Sequence, residues 1–112
     1  MQAEELLKLV ETVLDERKAH QIKALDVRGK SSITDYMVVA TATSSRHAQS
    51  LCEYVVEKVK ENGMLPLGVE GQPGSDWVLL DLGDVVVHVM TGHAREFYQL
   101  EKLWSVEGEK SD

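Results

Sequence analysis

The feature that most restricts the fold is a continuous apolar run that passes directly into an amphipathic helix. Residues Tyr36–Thr41 read YMVVAT, which is typical of a central strand covered on both faces. Ser44 or Ser45 can then cap a helix that Asn62-Gly63 ends. Its apolar stripe consists of Ala48, Leu51, Cys52, Val55, Val56 and Val59. The stretch therefore predicts a sheet with helices packed on it.

The other elements follow from periodicity and turn residues. They are a helix over 3–20, strands over 22–27, 64–69, 77–82 and 85–90, and a last helix marked by Phe97, Leu100 and Trp104. Pro66 suits an edge strand, and Gly83-Asp84 suits a hairpin turn. This order predicts an α/β or α+β fold, with a mixed sheet and helices mainly on one face. Residues 1–104 are expected to form one domain and 105–112 a polar tail.

Composition restricts the class of partner. The formal net charge is −7 and the pI is about 5.0, which argues against phosphate-backbone binding and favours a basic protein surface. A single cysteine, Cys52, excludes an intrachain disulfide and is expected to be buried and inert. No secretion signal, transit peptide or membrane-spanning run is evident, so we expect a cytoplasmic protein.

The hairpin WVLLDLGDVVVHVM carries the candidate site. Strand alternation places Val78, Leu80 and Leu82 on one side, which suits the core, and Trp77, Leu79 and Asp81 on the other. With Asp76 beside it, this second set resembles an aromatic anchor ringed by acids, as in protein-binding hot spots. The equal alternative is that Trp77 only packs under the last helix or a neighbouring loop.

A catalytic or metal site is the weaker interpretation of the same residues. Asp81, Asp84 and His88 would have to converge, yet aspartate is common in turns and a lone strand histidine is usually packed. The segment TSSRH opens a helix but lacks the glycines of a phosphate loop, and no GxSxG elbow is present. The sequence therefore predicts no catalytic residues, no cofactor and no metal.

Three separated motifs carry a resemblance to a known family. DYMVVATATSSRHAQSL, WVLLDLGDVVVHVM and REFYQLEKLW resemble the ribosomal silencing factor family, also called Iojap-like proteins, from the first helix to Trp104. The resemblance implies a homodimeric domain related in fold to nucleotidyltransferases but without their activity. It also implies binding to the intersubunit face of the large ribosomal subunit, through large-subunit ribosomal protein fourteen. Small-subunit joining would be blocked and translation repressed when nutrients are short.

The motifs also assign residues. The resemblance implies partner binding by Asp76, Trp77, Leu79 and Asp81, with Glu96 and Tyr98 as secondary candidates. Arg95 is expected at the helix surface. Active nucleotidyltransferases carry a Gly-Ser pair where this chain has residues 42–45, ATSS. The alternatives that stay open are an assembly factor for the large subunit and a cryptic nucleotidyltransferase.

Overall fold

A computed structural model describes residues 1–98. In chain order the elements are α1 (Ala3–Glu16), β1 (His20–Asp26), β2 (Tyr36–Ala42), α2 (Ser45–Glu61), β3 (Gly68–Glu70), β4 (Trp77–Asp81), β5 (Val85–Thr91) and α3 (Gly92–Tyr98). The predicted extension of the last helix through Leu100 and Trp104, the boundary at residue 104 and the polar tail lie outside the described residues. None of the described helices is long and apolar enough to cross a bilayer.

The strands form one mixed sheet with the order β1-β2-β5-β4-β3. Strands β2 and β5 pair in parallel at its centre, and the other neighbours pair antiparallel. Every residue of β2 is buried, as its unbroken apolar run predicts. Helices α1 and α2 pack on what we call the first face, where Val38, Leu51 and Leu80 belong to the main core. The mixed sheet is confirmed, and so is the edge position of β3, although this strand covers Gly68–Glu70 rather than 64–69, and Pro66 lies in the segment that leads to it.

The opposite side of the sheet, which we call the second face, carries a smaller apolar cluster. It consists of Val27, Met37, Val39, Met90 and Ala94, with Leu25 and Trp77 packed partly buried against it. Ala94 belongs to α3, which follows β5 without a loop and covers one end of this face. Within residues 1–98 the helices therefore lie mainly on the first face, and α3 is the one that contributes to the second.

Arg95 is buried, with 9% of its surface exposed, so the expected surface position is wrong. Its guanidinium donates hydrogen bonds to the backbone oxygen of Gln21 and, at 2.9 Å, to Oγ1 of Thr41. These contacts attach α3 to β1 and β2. The long side chain of Arg95 reaches from α3 to these acceptors, which the pairing of β1 with β2 brings together. Helical periodicity along the sequence therefore did not indicate that Arg95 is buried.

The first helix ends four residues earlier than the sequence predicts. Lys18 adopts a left-handed φ of 67°, and the amides of Lys18 and Ala19 donate to the carbonyls of Asp15 and Leu14. This is the Schellman arrangement, which usually has glycine at the left-handed position. Helix α2 ends in the same way with Gly63, at a φ of 78°, and that end was predicted. A glycine in the sequence indicates a helix end of this kind, whereas a lysine does not.

Ser44 rather than Ser45 caps α2, since Oγ of Ser44 accepts a hydrogen bond from the amide of His47 at 3.0 Å. We expect Ser44→Ala to lower the free energy of unfolding by about 1 kcal/mol, because an amide of the first turn loses its acceptor. Urea denaturation measures the loss. The matched control is Ser45→Ala, one residue into the helix, which should change stability by less than about 0.5 kcal/mol. Equal losses would contradict the assignment of the cap.

Candidate partner-binding surface

The pleat of β4 separates its side chains as predicted. Val78 and Leu80 are fully buried in the first-face core, whereas Trp77, Leu79 and Asp81 lie half-buried on the second face. The pairing with β5 sets Trp77 opposite Met90 and Leu79 opposite His88. The structure thus brings three candidate residues together on one strand of the second face, with Trp77 at the end towards α3.

Trp77 is held by a buried neighbour. Its Nε1–H donates a hydrogen bond to Nδ1 of His88 at 3.0 Å, and the two rings lie 5.7 Å apart with an interplanar angle of 46°. The ring also packs against the second-face cluster, which includes Met90 of the paired strand and Ala94 of α3. The packing alternative is therefore correct for the inner part of the indole, while the outer part remains at the surface. The sequence did not predict the pairing with His88, because it depends on strand register.

Asp81 has a local structural role in addition to its position. One oxygen of its carboxylate, Oδ1, accepts a hydrogen bond from the amide of Gly83 at 2.9 Å. Gly83 has a φ of 86°, which favours glycine, and the Leu82 amide donates to the Val85 carbonyl across the turn. Asp81 therefore fixes the turn that joins β4 to β5, as an aspartate in a turn commonly does.

Four acids lie on the β4–β5 hairpin, beside it in the chain or on the neighbouring strand β3, and we call them the acidic rim. They are Glu70, Asp76, Asp81 and Asp84. Glu70 is exposed on β3 and lies directly opposite Leu79, and Asp76 and Asp84 are exposed at the two ends of the hairpin. Residues 61–94 contain no lysine or arginine. This concentration of negative charge favours encounter with a basic surface.

Glu70 belongs to the acidic rim, although the sequence did not predict it as a partner-binding residue. The segment before β4 gave no register, so the strand position opposite Leu79 could not be assigned from the chain alone. Gly71 fixes the loop that follows: it has a φ of 124°, and a Cβ there would lie 2.9 Å from the carbonyl oxygen of Trp77. The glycine therefore allows the loop to pass directly against the first residues of β4.

The three residues of the possible metal or acid/base site have separate roles. His88 is 7% exposed and its Nδ1 is engaged by Trp77, Asp81 is bonded to the turn, and Asp84 is exposed. Within residues 1–98, no three His, Cys, Asp or Glu side chains are grouped so that they could hold a metal ion. Burial raises the pKa of the Cys52 thiol to about 12, which opposes formation of a nucleophilic thiolate.

The start of α2 is occupied by its own capping contacts. The amide of Thr43 donates to Nδ1 of His47 at 3.0 Å, and the other ring nitrogen of His47 lies 3.0 Å from the carbonyl oxygen of Arg17. With the Ser44 cap, these bonds account for the TSSRH motif as a junction between α1 and α2. The motif therefore has a structural role that does not require a phosphate ligand.

The secondary candidates lie on α3. Glu96 is exposed, and Tyr98 is the last described residue of α3. Helix α3 packs at the Met90 end of the second face, so both residues follow the covered end of the candidate surface. Their role in partner binding stays a prediction.

Burial of His88 predicts a specific pH dependence. Desolvation lowers its pKa from 6.5 to about 4, so between these values the unfolded chain binds a proton that the folded chain does not. The free energy of unfolding should therefore decrease as the pH falls from 6.5 towards 4. From this group alone we expect a loss of about 2 kcal/mol between about pH 7 and about pH 5, measured by urea denaturation.

The control for this prediction is His88→Asn, which keeps an acceptor near the Nδ1 position but has no proton to gain. The free energy of unfolding of His88→Asn should not show the decrease that His88 causes between about pH 7 and about pH 5. The hydrogen bond from Arg28 lowers the pKa of Asp26 from 3.8 to about 2. The contribution of Asp26 to the free energy of unfolding should therefore be lost only at pH values below the range in which His88 acts. If both proteins lose the same stability above about pH 5, the burial of His88 does not cause the effect.

The structure is that of a small α+β domain whose mixed sheet presents an aromatic side chain with acids nearby, next to helix α3. The family model "Ribosomal silencing factor during starvation" matches residues 1–112. The chain therefore belongs to the ribosomal silencing factor family, as the sequence motifs indicated.

Similar proteins agree with that assignment. A ribosomal silencing factor of Haemophilus influenzae is 47% identical over 97 residues, which is 87% of this chain and 94% of that protein. The mouse protein called "Mitochondrial assembly of ribosomal large subunit protein 1" is 33% identical over 85% of this chain and 43% of its own length. A Chromobacterium violaceum protein of known crystal structure is 40% identical in sequence to this chain, and the match covers 94% of this chain and 88% of that one. The two structures superpose with a TM-score of 0.90.

Proposed function

We propose that this protein binds the large ribosomal subunit through the second face of its sheet and thereby prevents the small subunit from joining. The partner is a basic protein on the intersubunit face, large-subunit ribosomal protein fourteen. The repression is steric, so it needs a stable complex and no chemical step, and the protein acts in the cytoplasm when nutrients are short. Family membership supports the ribosomal partner.

The observation that carries the choice of surface is the half-buried pair Trp77 and Leu79 inside the acidic rim. Apolar side chains surrounded by charge are the usual anatomy of a protein interface, with aromatic residues enriched at its centre. The absence of lysine and arginine from residues 61–94 favours a basic protein over exposed nucleic-acid phosphates. We therefore propose protein contact without direct readout of nucleic acid.

Co-sedimentation on sucrose gradients tests the proposal. The purified protein should migrate with isolated large subunits and not with small subunits. Added to a mixture of both, it should lower the amount of assembled ribosomes in proportion to its occupancy of large subunits. A protein absent from the large-subunit peak, or one that binds without reducing subunit joining, would overturn the steric mechanism.

Assembly of the large subunit is the second candidate, and the name of the mouse relative favours it. The same surface would serve, with binding to precursors in place of finished subunits. Depletion of the protein distinguishes the two roles. If the protein is an assembly factor, depleted cells should accumulate precursor particles during growth. If it is a silencing factor, depleted cells should have normal subunits and excess translation during starvation.

The family resemblance also leads us to propose that the protein is a homodimer. Sedimentation equilibrium over a range of concentrations measures the mass of the free protein. Repeating it with Trp77→Ala shows whether self-association uses the second face. A monomeric mass at every concentration would overturn the dimer without affecting the proposed ribosomal partner.

A further inference from the structure

The contact between Trp77 and His88 connects the proposed surface to the interior of the sheet. Trp77 lies on β4 opposite Met90, and His88 lies on β5 two positions away, so the two side chains form a diagonal pair across the strands. Diagonal pairs are within reach of long aromatic side chains. The 3.0 Å bond between Nε1 and Nδ1 uses that reach.

His88 is a rigid acceptor because its surroundings fix it. It belongs to a central strand, with Val39 of β2 opposite it on one side and Leu79 of β4 on the other. Only 7% of its surface is exposed. An indole nitrogen is a donor only, so Nδ1 of His88 must carry no proton and the ring proton lies on Nε2.

The bond also decides which atoms of the indole a partner meets. Trp77 packs against the second-face cluster, whose members are apolar side chains that accept no strong hydrogen bond. The His88 acceptor satisfies the indole N–H inside the protein. The surface part of the ring is then carbon, which suits close apolar packing or contact with a cationic side chain.

We propose that His88 is a positioning residue for the partner-binding surface, because it fixes the Trp77 ring on the second face before a basic partner binds. This inference rests on the proposed function. A side chain that is already ordered loses less conformational entropy on binding, so the complex gains affinity without a new contact. Neutral His88 is required, since a doubly protonated imidazole would offer no acceptor to the indole.

Two matched variants of His88 test the proposal. His88→Asn keeps an oxygen acceptor near Nδ1, whereas His88→Leu removes the acceptor. Binding to isolated large subunits should weaken by about tenfold in His88→Leu and stay within about twofold of wild type in His88→Asn. If both variants bind as wild type, or if His88→Asn is as weak as His88→Leu, the proposal is overturned.

A spectroscopic measurement separates positioning from a general loss of structure. The chain has two tryptophans, and the spectrum of Trp77→Phe identifies the indole N–H signal of Trp77. That signal should be protected from solvent exchange in wild type and His88→Asn, and exchange rapidly in His88→Leu. A rapidly exchanging indole in wild type would overturn the proposal, because the bond would not be persistent.

The double variant Trp77→Phe/His88→Leu completes a double-mutant cycle with the two single variants Trp77→Phe and His88→Leu. Phenylalanine has no N–H to hold, so His88→Leu should cause little further loss of binding in that background. An equal loss in both backgrounds would overturn the inference. If wild type binds large subunits but Trp77→Ala binds equally well, the inference and the choice of the second face both fail, while the proposed ribosomal partner and the block of subunit joining stand. If wild type does not bind them, the proposed function fails first, and the exchange data still report on the hydrogen bond.

Discussion

Trp77→Ala should lose most of its affinity for large ribosomal subunits, by about 2 kcal/mol or more, which is roughly thirtyfold. Removing the indole deletes the aromatic centre of the proposed surface, and with it repression of subunit joining. The inner part of the ring also packs on the second-face cluster, so the fold should survive with a stability loss of about 1–3 kcal/mol. Titration by co-sedimentation and urea denaturation measure the two effects separately.

Tyr54→Ala is the matched control for this loss. Tyr54 is a half-buried aromatic residue on α2, which packs on the first face, and the guanidinium carbon of Arg17 lies 3.7 Å from its ring centroid. Its truncation should lower stability to a similar degree and leave binding unchanged. If Trp77→Ala does not fold, Trp77 is a core residue and the assignment of the interface is wrong. Equal loss of binding in both variants would attribute the effect to stability.

The second large effect distinguishes two adjacent leucines on β4. Leu80 is fully buried in the first-face core, so Leu80→Ala should lower the free energy of unfolding by about 3 kcal/mol, through lost burial and the cavity left behind. Leu79 is half-buried on the second face, and Leu79→Ala should cost only about 1 kcal/mol of stability. Urea denaturation with unchanged m-values measures both losses.

Binding should respond in the opposite order. Leu79→Ala should weaken attachment to large subunits, since Leu79 lies on the same face of β4 as Trp77 and opposite Glu70 of the acidic rim. Any folded Leu80→Ala protein should bind normally. Equal stability losses would mean that the pleat does not separate a core face from a surface face. Normal binding by Leu79→Ala would restrict the contact to the tryptophan.

Much of the local structure was present in the sequence, because it depends on neighbours along the chain. The apolar run of β2, the stripe of α2 and the turn at Gly83-Asp84 each depend on short-range periodicity or turn chemistry, and each was correct. The Gly63 helix end was also correct, whereas the equivalent end at Lys18 was missed. The difference is that only glycine signals a left-handed residue in advance.

Three motifs in the sequence indicated the family, and strand alternation placed Trp77 and Leu79 on the face opposite Leu80. The pairing of Trp77 with His88 and the burial of Arg95 beneath α3 were visible in the folded structure alone. Both depend on which strands are neighbours and in what register. That pairing is set by contacts between residues distant along the chain, and a local pattern does not contain them.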